Sequence, residues 1–98
     1  MKKHIRIAVP NECEQYAQDV KRFVDAMMYK LRVNSHKGRW ELVDVNIALT
    51  GLKKEVNELQ EAATMGNMVE VLLECADVAN YAMILASIMI EREVRDVE

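Results

Sequence analysis

The stretch Glu55–Asp77, EVNELQEAATMGNMVEVLLECAD, decides how this chain folds. Apolar residues recur in it at every third or fourth position, and the pattern breaks once, over Ala63-Thr64-Met65-Gly66-Asn67. That reads as the end of one helix, a joint, and the start of another, with Gly66 ending the first and Asn67 capping the second. Two acidic pairs sit inside the pattern, Glu55 with Glu58 and Glu74 with Asp77, each spaced three apart. Residues three apart share one helix face, so each pair aims two carboxylates at a common point.

The placement of these acids says more than their spacing. At about 100° per residue with Leu52 at zero, Val56 falls near ~40°, Leu59 near ~340° and Ala62 near ~280°. Glu55, near ~300°, therefore lies inside the apolar stripe, and Glu58 borders it. With Glu74 at zero in the next helix, Tyr81, Leu85 and Ile88 fall near ~340°, ~20° and ~320°, and Asp77 near ~300°. Both acids of that pair point where a core is expected. An unpartnered buried charge is expensive, and two carboxylates about 5 Å apart repel by roughly 3 kcal/mol at an effective dielectric of about 20. Basic side chains on a facing helix, raised pKa values or metal ions can compensate. Oxygen donors without histidine or cysteine suit magnesium, manganese or calcium, and neither His4 nor His36 follows a glutamate by three, as a di-iron bundle requires.

Outward from this stretch the chain is helical. The helix after the joint is expected to run from Asn67 to beyond Glu91, apolar almost all round from Val78 to Ile90, before a charged tail over 92–98. The helix before it is expected to start near Glu41, with Thr50-Gly51 as a kink or break. Asn34-Ser-His-Lys-Gly-Arg-Trp40 interrupts the pattern and reads either as a solvated turn or as a loop that holds phosphate oxygens with Lys37 and Arg39 while Trp40 stacks on a base. A first helix is expected over Glu12–Val33, capped by Asn11 with Glu14 in capping-box position, and with Tyr16, Val20, Phe23, Val24, Met27 and Leu31 in the core. Residues 1–10 form an arm whose His4–Val9 alternation signals a short strand that pairs with another copy, or a simple extension.

The 98 residues are expected to form one all-α domain, a bundle of three helices, or four if Gly51 breaks the second. More apolar surface is present than three helices hide, so a homodimer or homotetramer is expected. A net charge of −3 gives no electrostatic case for a nucleic-acid polymer or an anionic membrane. Cys13 and Cys75 make no disulfide framework. The uncharged run Val78–Ile90 is 13 residues, short of the roughly 20 that cross a bilayer, and a soluble cytoplasmic protein is expected.

Glu55-x-x-Glu58, fifteen intervening residues and Glu74-x-x-Asp77 resemble the motif of the all-α nucleoside triphosphate pyrophosphohydrolases, the superfamily of MazG and the dimeric dUTPases. The flanking Leu52-Lys-Lys-Glu-Val-Asn-Glu-Leu-Gln-Glu-Ala62 and Glu74-Cys-Ala-Asp-Val-Ala-Asn-Tyr-Ala82 are similar too. So are Lys30-Leu31, Asn34, Lys37-Gly38 and Trp40, to small phage-type MazG-like proteins. The resemblance covers roughly Phe23–Ile90 and implies hydrolysis of a (deoxy)nucleoside triphosphate to its monophosphate and pyrophosphate. It makes Glu55, Glu58, Glu74 and Asp77 ligands of Mg2+, with Mn2+ as a substitute. Glu55 or Glu58 would orient or deprotonate the attacking water, and Lys37, Arg39, Trp40 and Asn80 would contact substrate. Many relatives carry a doubled glutamate where this chain has Lys54-Glu55, which leaves the number of metals open. The alternative is a non-catalytic helical oligomer that binds nucleotides or serves as an interaction module.

Overall fold

The structure is a computed structural model that describes residues 2–35 and 44–97. It is all-α. After an arm, Lys2–Pro10, with no regular structure, a 3-10 turn over Asn11–Tyr16 leads into α1, Ala17–Val33; α2 is Val45–Met65 and α3 Met68–Val97. No strand occurs among the described residues, so His4–Val9 is an extension in the single chain.

Local chemistry explains most of the boundaries. The Cys13 N–H donates to the Pro10 carbonyl at 2.8 Å, closing a 3-10 turn whose cap is Pro10, so the expected Asn11 cap does not form. α2 starts at Val45, later than expected, because Asp44 is extended (φ −68, ψ 143) and its carboxylate accepts the Asn46 N–H at 2.7 Å. Glu41 lies outside the described residues. The helix runs unbroken through Thr50, whose hydroxyl donates to the Asn46 carbonyl at 2.9 Å, and through Gly51, so the described residues hold three α-helices rather than four.

The joint between α2 and α3 forms as read from the sequence. Gly66 takes the left-handed conformation, φ 74 and ψ 18, and its N–H donates to the carbonyls of Ala62 and Ala63. Asn67 then caps α3, its side-chain oxygen accepting the Glu70 N–H at 3.0 Å. So short a connection folds α2 back along α3 as a helical hairpin, opposing Glu55 and Glu58 to Glu74.

α3 is the centre of the fold. It packs against both α2 and α1, and among the described residues no α1–α2 pair of Cα atoms comes within 8 Å. Among the described residues the buried apolar core is thin: Ala26, Ala48, Ala76 and Ile88. Tyr16 and Val20, expected in the core, are 53% and 44% exposed: among the described residues α3 is the only long helix that packs against α1. Phe23, Val24, Met27 and Leu31 are half-buried.

The helix Met68–Glu93 is, by length and composition, apolar enough to cross a membrane. The 13-residue limit read from the sequence counted only its uncharged run; the helix reaches spanning length by including Glu74 and Asp77.

Candidate metal centre

Three of the four interior acids gather between α2 and α3. Glu55, Glu58 and Glu74 are half-buried, and each offers one oxygen to a group whose members all lie within 4.8 Å of one another. Glu55 Oε2 and Glu74 Oε2 are buried and have no hydrogen-bond partner among the described residues. Such orphaned oxygens are costly in the ionised state, and two of them converging from facing helices is what a cation would relieve. An all-oxygen donor set of this kind fits a hard divalent ion.

The fourth acid is engaged elsewhere. Asp77 Oδ2 lies 3.1 Å from Lys30 Nζ on α1, with side chains only 15% and 21% exposed. Burial pulls the Lys30 pKa down, but the hydrogen bond to Asp77 and the charges of Asp77, Glu74 and Glu55 outweigh it and hold the ammonium above its ordinary 10.5. Lys30 therefore feels the charges of Glu74 and Glu55 as well as that of Asp77. In the sequence Lys30 stands in the family resemblance and, with Lys21, Arg22 and Arg32, among the helix-one cations able to pair with interior acids, without being singled out. Its signal was there: it falls in the same apolar stripe of α1 as Phe23 and Met27, as the acids do in theirs.

Proximity and burial leave the acids reluctant to ionise together. Burial, then the hydrogen bond with Glu58 and the charges of Asp77, Glu58 and Glu74, push the Glu55 carboxyl from its ordinary 4.5 up to about 7. Glu74 is also raised, by burial and by the charges of Asp77 and Glu58, against the opposing pull of Lys30 and a hydrogen bond from Glu55.

This has a consequence for stability. The folded state keeps a proton on Glu55 that the unfolded chain gives up near 4.5, so its contribution is present at low pH and lost as pH rises through about 7. The cation-free protein is expected to melt a few degrees higher at pH 5 than at pH 7.5, with the gap narrowed by saturating Mg2+. Scanning calorimetry at the two pH values checks it; a cation-free protein more stable at pH 7.5 contradicts the assignment.

Lys30→Met leaves Asp77 half-buried without a counter-charge. It is expected to cost about 1–3 kcal/mol, less than the loss of a fully buried pair because both groups keep some solvent. Urea denaturation at pH 7.5 measures the loss, and Lys30→Met/Asp77→Asn should recover most of it.

The other predicted site residues divide. Asn80 is 5% exposed, and its amide donates to the Met27 carbonyl at 3.1 Å, tying α3 to α1; its Oδ1 is buried and has no partner among the described residues. Lys54, Glu61 and Glu70 are exposed. Lys37, Arg39 and Trp40 lie outside the described residues. No protein-family model, curated protein or solved structure matches the chain.

Proposed function

We propose that the chain is a magnesium-dependent nucleoside triphosphate pyrophosphohydrolase, cleaving a (d)NTP to its monophosphate and pyrophosphate. The observation that carries this reading is the meeting of Glu55, Glu58 and Glu74 on facing helices with two buried oxygens unpartnered. Its sequence support is the two-pair acidic motif and the family resemblance that motif bears. Glu55, Glu58 and Glu74 would hold the Mg2+, with Asp77 at the edge of the group. A bound magnesium supplies charge that neutralises phosphate oxygens and acidifies a coordinated water.

The chain's own residues do the rest. Glu55, with its carboxyl raised to about 7, is suited to take a proton from the attacking water near neutral pH, with the Glu58 carboxylate beside it. Lys30 holds Asp77 in place and puts a positive charge at the rim of the acidic group. Asn80 anchors α3 to α1 one turn beyond Asp77, and would act as a positioning residue.

The Lys30–Asp77 pair favours a second reading, a non-catalytic helical oligomer whose interior acids are structural. One such bridge is what a structural bundle uses; three acids converging without one is not.

Nucleoside and deoxynucleoside triphosphates incubated with the protein and Mg2+, with products resolved, test the proposal. Pyrophosphate with the matching monophosphate is the expected result. Orthophosphate with a diphosphate, or no product with Mg2+ or Mn2+, would overturn it, and the second outcome would favour the structural reading.

A further inference from the structure

Three ion pairs occur among the described residues, and one differs in kind. Lys21–Asp25 and Arg22–Asp19 join neighbours on α1, with every side chain at least 64% exposed. Lys30–Asp77 crosses from α1 to α3, and its side chains are only 21% and 15% exposed. On α2, Lys53 and Lys54 are exposed. Among the described residues, Lys30 is thus the cation that packing delivers to the interior acids.

Its position is fixed from one turn away. Asn80 donates to the Met27 carbonyl at 3.1 Å, so positions 27 and 30 ascend on α1 as 80 and 77 descend on α3. Residues three apart lie on one helix face. Both contacts therefore belong to one seam, and α1 cannot slide along α3 without breaking the two together.

The charges around Lys30 decide what else fits. Ionised together, the four interior acids carry four negative charges, and the Lys30 ammonium cancels one. Glu55, Glu58 and Glu74 converge with oxygens within 4.8 Å of one another, a set that suits one hard divalent ion whose shell water completes. In a two-metal site the second ion lies about 3.5–4 Å from the first and needs a further carboxylate. Asp77 is the interior acid left to supply it, and its Oδ2 already faces the Lys30 ammonium at 3.1 Å. A divalent ion on Asp77 would meet that ammonium at close range, like charge against like.

We propose that Lys30 is a tethered cation standing where a second divalent ion would draw on Asp77, so that the acidic group holds one divalent ion rather than two. The inference rests on the metal-centre reading and deepens it: α1, through a single lysine, sets the metal count of a site built on α2 and α3. Lys30 is a positioning residue here, acting through Asp77 and not on substrate. A purely structural ion pair behaves differently, because its removal loosens the fold and leaves the number of bound ions unchanged.

The test titrates the chelator-stripped full chain with Mn2+ at pH 7.5 and counts the free ion by its electron paramagnetic resonance signal. Wild type should bind about one ion per chain, as three converging carboxylates allow. Lys30→Met should bind about two, within about 4 Å of each other, with the broadened signal of a coupled pair. Lys30→Arg, which keeps the charge, and Lys30→Met/Asp77→Asn, which removes the acid as well, should each return the count to the wild-type value. A wild type that binds two ions, or a Lys30→Met variant that binds one, overturns the inference while leaving the metal centre in place. A wild type that binds none overturns the metal centre, and this inference with it. Should Lys30→Met lose its helical circular dichroism, Lys30→Gln, which keeps a hydrogen-bond donor for Asp77, replaces it and must likewise bind two.

Discussion

Glu55→Gln is expected to abolish divalent-cation binding and magnesium-dependent hydrolysis while making the cation-free protein more stable. The two effects have one cause. Glu55 is the acid most strongly opposed by its surroundings: burial and the charges of Asp77, Glu58 and Glu74 all act against its ionised form. Glutamine keeps the size of the side chain and can donate an amide hydrogen to a neighbouring carboxylate. The repulsion is worth up to roughly 3 kcal/mol for carboxylates about 5 Å apart at an effective dielectric of about 20. Partial solvent access reduces that to about 1 kcal/mol, or about 4–8 °C in melting temperature for a domain of this size. Loss of the ligand and proton acceptor should lower kcat on the order of a thousandfold. Calorimetric titration with Mn2+ and a melting curve in chelator read the two halves separately. A variant that binds Mn2+ normally, or that melts lower than wild type without cation, would sink the assignment of Glu55.

The second large effect concerns Gly51, and helix propensity alone has its sign wrong. Replacing a mid-helix glycine by alanine ordinarily stabilises by up to about 1 kcal/mol. Here α2 and α3 approach so closely that a Cβ at Gly51 would stand 2.9 Å from Tyr81 Cζ and 3.1 Å from Cδ1, with Cε1 nearer still. The ring must move, and overpacking of this kind costs about 1–3 kcal/mol. Gly51→Ala is therefore expected to destabilise the protein by about 1–2 kcal/mol after the propensity gain is offset. It should also weaken Mn2+ binding, because Glu55 follows Gly51 by one turn and Asp77 precedes Tyr81 by one. A double-mutant cycle gives the decisive reading: in a Tyr81→Ala background, Gly51→Ala should become stabilising. A cost that persists in that background would place the strain somewhere other than the Tyr81 ring.

Gly51 also shows why part of the fold could not be read along the chain. As a sequence feature it is a helix weakener, and a break was a fair expectation. Its reason is a contact with a residue thirty positions away, which no local periodicity reports. Lys30 is a similar case. Its place in the apolar stripe of α1 was visible, but its partner Asp77 is on another helix, and only packing pairs them. The acids were easier, because charge in an apolar stripe is a contradiction that the periodicity itself exposes.

By itself the sequence determined the all-α class, the Gly66-Asn67 joint and the inward direction of Glu55, Glu58, Glu74 and Asp77. These follow from interactions within a few residues: capping, left-handed glycine geometry and a 3.6-residue period. Only the tertiary structure decided that three acids converge while the fourth is held by Lys30, and that Gly51 is a contact rather than a break. Each of these depends on how far apart and at what angle two helices pack, a choice made by side chains that meet across the fold.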